Sequence, residues 1–315
     1  AALAVAFLLN MRAPRRAALV AAGGVAVAAL ASLTGGGVET HRSFFGVHKL
    51  EDVGGRYRIL MHGATLHGAM RLDGDAAAPP EPLTYYTDAG PLAEAIRAVR
   101  GAQGGRIARA SLVGLGAGSL ACQMRRDEDF AFFEIDPVVA RLAADPTRFR
   151  FLDACAKGKQ VVMGDARLTL AKAPAGANAL VVDAFSSDAI PAHLLTREAF
   201  AAYLRHLGEN GVVVLHVSNK YFDLSRIIAR TAGDLGLTTW LRADRAPPET
   251  FADTLRASST VAVVARRDAD VGVIAGEDGR WEKLDAKQDV APWTDDYSNI
   301  LQAMYDRFTR PDRSR

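Results

Sequence analysis

The stretch VGLGAGS, residues 113–119, decides the fold, because an apolar run ends there in a glycine-rich turn. Three later stretches repeat the pattern of an apolar run that ends at an acid: FFEID at 132–136, MGDA at 163–166 and VVDAFSSD at 181–188. The carboxyl ends of parallel strands lie along one edge of a sheet, where ligands collect. These segments therefore predict a single cleft that binds an adenosine-containing cofactor.

Apolar strand-like runs alternate with helical periods between residues 89 and 308. This alternation is typical of an α/β, Rossmann-like fold in which helices cover both faces of a mostly parallel sheet. Residues 41–88 differ, since their short strand-like runs are separated by turns and prolines, and they predict a small N-terminal β-domain. Residues 309–315 are predicted to be a frayed tail.

Charge and cysteine content exclude several classes of protein. The 315 residues include 38 Lys and Arg and 36 Asp and Glu, which gives a net charge of +2. No long basic run is present to follow a phosphate backbone, so nucleic acid is not an expected partner. The two cysteines, Cys122 and Cys155, both lie in segments with a helical pattern. We therefore expect reduced thiols, as in the cytosol, and neither a disulfide framework nor a metal site.

Residues 1–36 are hydrophobic and predict a transmembrane segment, with a basic loop at Arg12, Arg15 and Arg16 and an uncharged run at residues 17–33. A buried or interfacial helix is the alternative, because Ala and Gly are only weakly apolar. No initiator Met or signal-peptide n-region begins the chain, so we expect a piece of a larger membrane protein. By the positive-inside rule, the arginines place the main domain outside. Nucleoside donors are intracellular, however, and on that ground we expect a cytoplasmic soluble domain.

Three glycines of the turn, Gly114, Gly116 and Gly118, leave room for a tight bend and for a ligand to approach the backbone at a helix N-terminus. Glu134 ends the next strand, where a carboxylate accepts hydrogen bonds from both ribose hydroxyls of a nucleoside. A solvated acid at a strand end is the alternative for Glu134. Together these four residues predict a cofactor-binding turn.

Two further strand ends carry acids with predicted roles. Asp165 is expected to accept a hydrogen bond from the adenine amine, or to cap the helix that begins near Ala166, and both roles can hold at once. Asp183 is the predicted catalytic acid, because a partly desolvated carboxylate there can take a proton from an attacking amine or hold the charge of that amine. Asp188, in the loop that follows, is either a second amine contact or a plain loop acid.

These segments resemble the spermidine/spermine synthase family, the polyamine aminopropyltransferases. The resemblance covers residues 44–219 and rests on residues 114–118, Glu134-Ile135-Asp136, Gly164-Asp165-Ala166, and Asp183 with HLLTREAFAAYLRHLGENGVVVLHVSN. It is closest to the membrane-fused branch of the family. It implies a methyltransferase-like sheet with an antiparallel last strand, Glu134 on ribose, Asp165 on adenine and Asp183 as the base of aminopropyl transfer. Tyr85, in LTYYTDAG, falls where the family has its gate tyrosine and is a second predicted catalytic residue.

Departures from the family's pattern leave the donor open. Ala117 stands where the family has the Asp that holds the donor's aminopropyl ammonium, and Tyr86 and Thr87 replace the Gln and Glu that follow the gate tyrosine. The spacing between the two acids of the active loop, Asp183 and Asp188, is also longer. Without a carboxylate at position 117, there is room for a donor that keeps its own carboxylate, namely S-adenosylmethionine itself.

Three further substrate contacts are predicted, at Tyr86, His67 and Asp296. His67 shares the stretch MHGATLHG with His62, and two histidines at this spacing do not form a metal pair, so a structural role is the alternative for each. Asp296, in WTDDYSN, either supplies negative charge for a polyamine or lies in a hydrated turn. His216 ends a strand on the ligand side and is expected to contact the pocket.

Four functions are compatible with these patterns. The first is transfer of an aminopropyl group from decarboxylated S-adenosylmethionine to an amine such as putrescine, with release of methylthioadenosine. The second is lyase or cyclising breakdown of S-adenosylmethionine to methylthioadenosine, and the third is methyl transfer. The fourth is a non-catalytic nucleotide-sensing domain of a membrane protein. A metal is not expected in any of them, and relatives suggest a homodimer formed through the β-domain.

Overall fold

The computed structural model describes residues 37–185, 190–219, 221–276 and 279–309. The hydrophobic segment at residues 1–36, Asp188, and the tail from residue 310 lie outside the described residues. Within the described ranges, no helix combines the length and the apolar sequence that crossing a bilayer requires.

A four-stranded antiparallel sheet forms the N-terminal part of the described chain and confirms the small β-sheet predicted there. Its strands follow each other in chain order: β1 Glu39–Ser43, β2 Gly46–Val53, β3 Tyr57–His62 and β4 Thr65–Arg71. Short turns join them, as expected for successive hairpins.

The larger sheet has eight strands in the order β12-β10-β11-β9-β8-β5-β6-β7. Five neighbouring strands, β9-β8-β5-β6-β7, pair in parallel. Strand β11 is antiparallel to both of its neighbours, β9 and β10. The mostly parallel, methyltransferase-like sheet with an antiparallel last strand is therefore confirmed. The bounds are β5 Arg109–Val113, β6 Asp129–Glu134, β7 Gln160–Met163, β8 Ala177–Val182, β9 Leu207–His216, β10 Thr238–Asp244, β11 Ser259–Ala265 and β12 Glu282–Leu284.

Alternate residues of the central strands face two separate cores. On β8, Ala179 and Val181 belong to one buried cluster, whereas Leu180 and Val182 belong to the other. Successive side chains of a strand point to opposite faces, so a strand that is apolar at every position is buried on both faces. This explains why the central strands appear in the sequence as continuous apolar runs.

Helices cover both faces of the large sheet. They are α1 Pro91–Ala102, α2 Pro137–Ala144, α3 Phe151–Cys155, α4 Ala166–Leu170, α5 Arg197–His206, α6 Ser225–Gly233, α7 Pro248–Thr254 and α8 Ile300–Thr309. Side-chain caps fix three of the helix starts, since Asp136, Asp165 and Thr196 each accept a hydrogen bond from a backbone N–H of the first turn. Two of these caps, Asp136 and Asp165, directly follow strands of the sheet.

The two cysteines form a disulfide, so the prediction of reduced thiols is wrong for this structure. Cys122 lies in the 3₁₀ turn Ser119–Gln123, which packs against α3, where Cys155 is the last residue. The two Cα atoms are 5.1 Å apart, within the usual range for a disulfide. The sequence separation of 33 residues gave no sign of this contact.

The small sheet packs against the glycine-rich turn and α2 of the larger domain. Leu50, Leu60 and Met70 of the small sheet share a buried cluster with Ala117 of the turn and Leu142 of α2. The small sheet therefore covers the edge of the large sheet at which its parallel strands end.

Candidate active site

A cavity of about 240 Å³ lies where β5, β6, β7 and β8 end beneath the small sheet. We call it the strand-end cavity. Its walls include most of the predicted cofactor residues and the predicted base, namely Gly114, Gly116, Glu134, Asp165, Ala166 and Asp183. The structure thus brings together the strand ends that the sequence marked.

The glycines of the turn have different local roles. Gly114 has a φ of 90°, and a Cβ at this position would overlap the carbonyl oxygen of Asp183. A Cβ on Gly116 would lie 2.5 Å from the carbonyl oxygen of His67. Gly118 does not line the strand-end cavity but begins the 3₁₀ turn Ser119–Gln123. Gly114 and Gly116 therefore hold the turn against the chain segments that form the cavity walls.

Glu134 is buried beside the turn with both carboxylate oxygens engaged. Its Oε2 accepts from the backbone N–H of Leu115 at 2.9 Å, and its Oε1 accepts from that of Asp136 at 2.8 Å. Burial raises the pKa of Glu134 above its ordinary value, although these N–H groups act in the opposite direction. Each carboxylate oxygen can accept more than one hydrogen bond, so Glu134 can still accept from the hydroxyls of a ribose.

Asp165 caps α4, and its Oδ1 accepts from the backbone N–H of Leu168 at 3.2 Å. Its other oxygen, Oδ2, lies 3.3 Å from Nε2 of His193. The capping role is confirmed, and the same carboxylate lines the strand-end cavity. Contact with an adenine amine stays a prediction that this position allows.

Asp183 holds two side-chain partners at the end of β8. The hydroxyl of Tyr86 donates to its Oδ2 at 2.5 Å, and Nδ1 of His216 lies 2.7 Å from its Oδ1. Burial, and then the charge of Asp183, raise the pKa of Tyr86 well above its ordinary value. The phenol therefore stays protonated and donates to the carboxylate, which fixes the rotamer of Asp183.

His216 links Asp183 to the backbone of β11. Nε2 of His216 lies 2.8 Å from Oγ of Ser218, and that oxygen accepts from the N–H of Thr260 at 2.8 Å. An ionised carboxylate only accepts, so Nδ1 carries the proton donated to Asp183, and Nε2 of the neutral ring accepts from the hydroxyl of Ser218. Sequence reasoning placed His216 at the pocket but missed its bond to Asp183. A signal was available in the sequence: Asp183 follows Val182 and His216 follows Leu215, and these two residues lie opposite each other on the parallel strands β8 and β9.

The hydroxyls of Tyr85 and Tyr86, two neighbouring predicted site residues, have different partners. The hydroxyl of Tyr85 donates to the carbonyl oxygen of Leu66 at 2.9 Å and not to Asp183. The Tyr85 ring packs against His216, with ring centroids 4.4 Å apart. Burial and the charge of Asp183 raise the pKa of Tyr85, so it stays protonated. Tyr86, predicted as a substrate contact, is the tyrosine bonded to the predicted base.

Three histidines of the small sheet form a stack along the strand-end cavity. The ring centroids of His48 and His62 are 4.7 Å apart, and those of His62 and His67 are 5.5 Å apart. Nε2 of His48 lies 2.7 Å from the Oδ2 of Asp136. Burial, followed by the charge of His48, lowers the pKa of His62. His67, a predicted substrate contact, lines the cavity as part of this stack.

Asp296 is exposed and does not line the strand-end cavity, so the structure does not bring it to the site. Its neighbour Asp295 pairs with Arg167 at 2.7 Å. The alternative of a hydrated turn describes Asp296 better than a contact with substrate.

Ala117 does not open into the strand-end cavity, contrary to the expectation that its small side chain leaves room for a carboxylate of the donor. It is buried in the cluster between the two sheets. A Cβ on Gly68 of β4 would lie only 2.6 Å from the Cβ of Ala117. The space that an aspartate would occupy at position 117 is therefore filled by β4.

A second cavity, of about 1010 Å³, adjoins the strand-end cavity at Phe185, but Asp183 itself does not line it. We call it the large cavity. Tyr85 and His216 line it, and Phe185 lines both cavities. The Phe185 ring packs 5.0 Å from that of His216, so the rings of Tyr85, His216 and Phe185 form an aromatic cluster in the wall of the large cavity.

Part of the chain is similar in sequence to a known protein. No protein-family profile matches the chain. The polyamine aminopropyltransferase of Vibrio vulnificus (strain CMCP6) is 29% identical over 123 residues, which are 36% of this chain and 40% of that relative. The chain thus matches about two fifths of the length of that protein.

Two solved structures have similar folds. One is a probable spermidine synthase from Corynebacterium glutamicum ATCC 13032, with a TM-score of 0.54, 15% identity, and coverage of 79% of this chain and 90% of that one. The other is the spermidine synthase from Thermotoga maritima, with a TM-score of 0.50, 11% identity, and coverage of 85% and 84%. At these identities, the likeness establishes the fold alone.

Proposed function

We propose that this protein is an aminopropyltransferase-like enzyme that moves an aminopropyl group from decarboxylated S-adenosylmethionine to an amine and releases methylthioadenosine. The observation that carries the proposal is the strand-end cavity, in which Glu134, Asp165 and Asp183 lie around one glycine-rich turn. The local similarity to a polyamine aminopropyltransferase supports the same activity.

The charges of the strand-end cavity favour the decarboxylated donor. Four carboxylates line it, those of Glu134, Asp136, Asp165 and Asp183, and none of the described residues in its walls is Lys or Arg. A buried carboxylate on the ligand would need a cationic partner there. A donor tail that ends in an ammonium group instead matches these walls. The same charges disfavour breakdown of intact S-adenosylmethionine.

The chemistry requires orientation and one proton acceptor. The amine nitrogen attacks the carbon next to the sulfonium, a C–N bond forms, and the C–S bond breaks with both electrons left on sulfur. The amine then carries an excess proton, which passes to the carboxylate of Asp183. Hydrogen bonds from Tyr86 and His216 hold that carboxylate in place.

Chromatography of the released nucleoside tests the proposal. The protein is incubated with S-adenosylmethionine or its decarboxylated form, with and without an amine, for which putrescine is the sequence-based expectation. We expect methylthioadenosine only from the decarboxylated donor plus amine. Methylthioadenosine from S-adenosylmethionine alone would indicate a lyase, S-adenosylhomocysteine would indicate methyl transfer, and donor binding without turnover would indicate a sensor. Each of these three results would contradict the proposal.

Replacement of the predicted base sharpens this test. Asp183→Asn keeps the size of the side chain but removes the proton acceptor, so turnover is expected to fall by roughly 10²- to 10⁴-fold while donor binding persists. Asp295→Asn is the matched control, because Asp295 is an exposed acid outside both cavities. Unchanged turnover in Asp183→Asn would remove the proposed role.

Location and assembly are separate proposals. We propose membrane attachment through residues 1–36, with the soluble part in the cytoplasm and a homodimer formed through the small sheet. Protease added to intact cells is expected to leave the soluble part uncut. Cleavage of the soluble part by that protease would contradict the cytoplasmic location. Sedimentation of the purified protein tests the proposed homodimer. A monomeric protein would contradict this proposal.

A further inference from the structure

We infer that the acceptor is a hydrophobic primary monoamine that occupies the large cavity, with its amino group directed at Asp183. The inference rests on the proposed transferase activity and names the acceptor class for the same site. It differs from the linear polyamine that the sequence resemblance suggests.

The large cavity is separated from the predicted base, Asp183, by one side chain, that of His216. The rings of Tyr85 and His216 form part of its wall, and Nδ1 of His216 lies 2.7 Å from the carboxylate of Asp183. Phe185 faces both cavities. The aromatic wall of the large cavity therefore lies next to the carboxylate through His216, and aromatic rings attract an alkylammonium group.

The walls of the large cavity are mainly apolar. Side chains from both sheets contribute, among them Ile59, Met61, Leu66 and Leu241, and Phe222 and Leu255 add apolar surface from outside the sheets. Phe251 of α7, which also lines the cavity, is 43% exposed. A volume of about 1010 Å³ is at the upper end of the usual range for small-molecule sites, roughly 300–1,000 Å³. These walls favour a bulky apolar body over a thin, fully solvated chain.

The acids of the large cavity already have partners. Asp244 pairs with Arg256 at 2.8 Å, and Asp306 pairs with Arg226 at 2.6 Å. Asp223 accepts hydrogen bonds from the backbone N–H and the hydroxyl of Ser225, at 2.9 Å and 2.6 Å.

This arrangement disfavours a diamine. One ammonium of a diamine would reach Asp183. The second would lie among apolar side chains and acids that already pair with arginines or, for Asp223, accept hydrogen bonds at the start of α6. Removing a charge from water without a new partner is costly. A monoamine avoids this cost and buries its apolar body in the same space.

A matched pair of acceptors tests the inference. Putrescine and 4-phenylbutylamine share a four-carbon chain, and the second carries a phenyl ring in place of one ammonium. With the decarboxylated donor, we expect kcat/KM for 4-phenylbutylamine to exceed that for putrescine at least tenfold. An equal or higher kcat/KM for putrescine would overturn the inference.

A variant of the cavity wall ties the preference to this space. Ala243 of β10 lines the large cavity, and Ala243→Trp is expected to lower kcat/KM for 4-phenylbutylamine at least tenfold without changing donor affinity. Ala243→Leu is a milder variant if the tryptophan impairs folding. Ala202→Trp is the control, because Ala202 is a half-buried alanine of α5 that lines neither cavity. A preference that survives both Ala243 variants would contradict the assigned cavity.

Amine binding separates this inference from the proposed activity. Calorimetry of the full chain saturated with methylthioadenosine is expected to show 4-phenylbutylamine binding at least tenfold more tightly than putrescine. That result without turnover would refute the transferase activity and support the cavity assignment. If 4-phenylbutylamine does not bind, or putrescine binds as tightly, the acceptor inference fails whatever the turnover.

Discussion

Nδ1 of His216 lies 2.7 Å from Oδ1 of Asp183, so the last residue of β9 holds the acid that follows β8. The pairing follows from the sheet, because β8 and β9 are parallel neighbours and Val182 lies opposite Leu215. The two side chains then emerge side by side at the same sheet edge. Since Ser218 holds the far nitrogen of His216, the imidazole is fixed from both sides.

Replacement of His216 is therefore expected to impair the chemical step. Loss of a hydrogen bond to a charged group costs about 1.5–3 kcal/mol, so kcat in His216→Ala should fall roughly ten- to a hundredfold while donor affinity stays within about twofold. His216→Gln, which keeps an N–H donor, should retain more activity. Steady-state kinetics and donor titration measure both quantities.

A second buried histidine provides the control for this prediction. His206 lies 2.8 Å from Oγ of Ser111 and lines neither cavity, so His206→Asn is expected to lower stability without a selective loss of kcat. Equal losses of kcat in His206→Asn and His216→Ala would show that His216 acts only through folding.

Donor affinity is expected to depend on pH through Glu134. Its carboxylate accepts from ribose hydroxyls through both oxygens only when it is ionised, because protonation turns one oxygen into an O–H donor, and burial raises its pKa above the ordinary 4.5. As the pH is lowered, Glu134 is protonated at a higher pH than an exposed glutamate would be. The affinity for methylthioadenosine is expected to fall as Glu134 is protonated. Calorimetry between about pH 5 and pH 8 measures this effect. Glu134→Gln should bind weakly and lack this pH dependence, and an unchanged pH profile in that variant would contradict the assignment.

Gly114→Ala is expected to displace Asp183 as well as strain the turn. The added Cβ would overlap the carbonyl oxygen of Asp183, and φ at Gly114 is 90°. Gly158 is the matched control, since it has a φ of 79° but a Cβ added there would meet no atom within 4 Å. Gly158→Ala should cost about 1 kcal/mol of unfolding free energy from backbone strain alone. Gly114→Ala should lower the unfolding free energy by more than this and should also lower turnover. Urea unfolding and steady-state kinetics measure the two effects. Similar behaviour of the two variants would refute the role of the contact with Asp183.

Ala117→Asp is expected to destabilise the protein without improving donor binding. Ala117 is packed against Gly68 between the two sheets, so an aspartate there would bury a charge without a cationic partner. Such burial costs about 3–5 kcal/mol. Urea unfolding and donor titration measure the two effects, with Ala117→Ser as the smaller polar control. A gain in affinity for the decarboxylated donor would show that position 117 faces the cavity after all.

Removal of the disulfide is expected to lower the stability of air-oxidised protein. The bond joins Cys122 to Cys155 and closes a loop with a sequence separation of 33 residues. Loss of a bond of this kind typically costs about 2–4 kcal/mol. Urea unfolding of Cys122→Ser, and of the wild type with and without reductant, measures the effect. Equal stability of oxidised and reduced wild type would contradict it.

The sequence predicted the parts of the site that depend on local pattern. A glycine at a tight turn and an acid at a strand end are both visible in short stretches, and parallel pairing brings such ends to one edge. The meeting of Gly114, Glu134, Asp165 and Asp183 at one cavity follows from this. The antiparallel last strand followed from the family resemblance.

The remaining features depend on contacts between distant segments. The bond from Tyr86 rather than Tyr85 to Asp183 depends on how the 3₁₀ turn Thr84–Tyr86 lies against the sheet. The closure of position 117 depends on where β4 packs. Neither has a local sequence signal. Long-range packing therefore decides the details that separate one substrate from another.

A crystal structure with methylthioadenosine bound tests the central claim most directly. The account predicts the nucleoside in the strand-end cavity, with its ribose hydroxyls bonded to Glu134 and its sulfur on the side of Asp183. A nucleoside found in the large cavity, or one in the strand-end cavity with its sulfur turned away from Asp183, would contradict it.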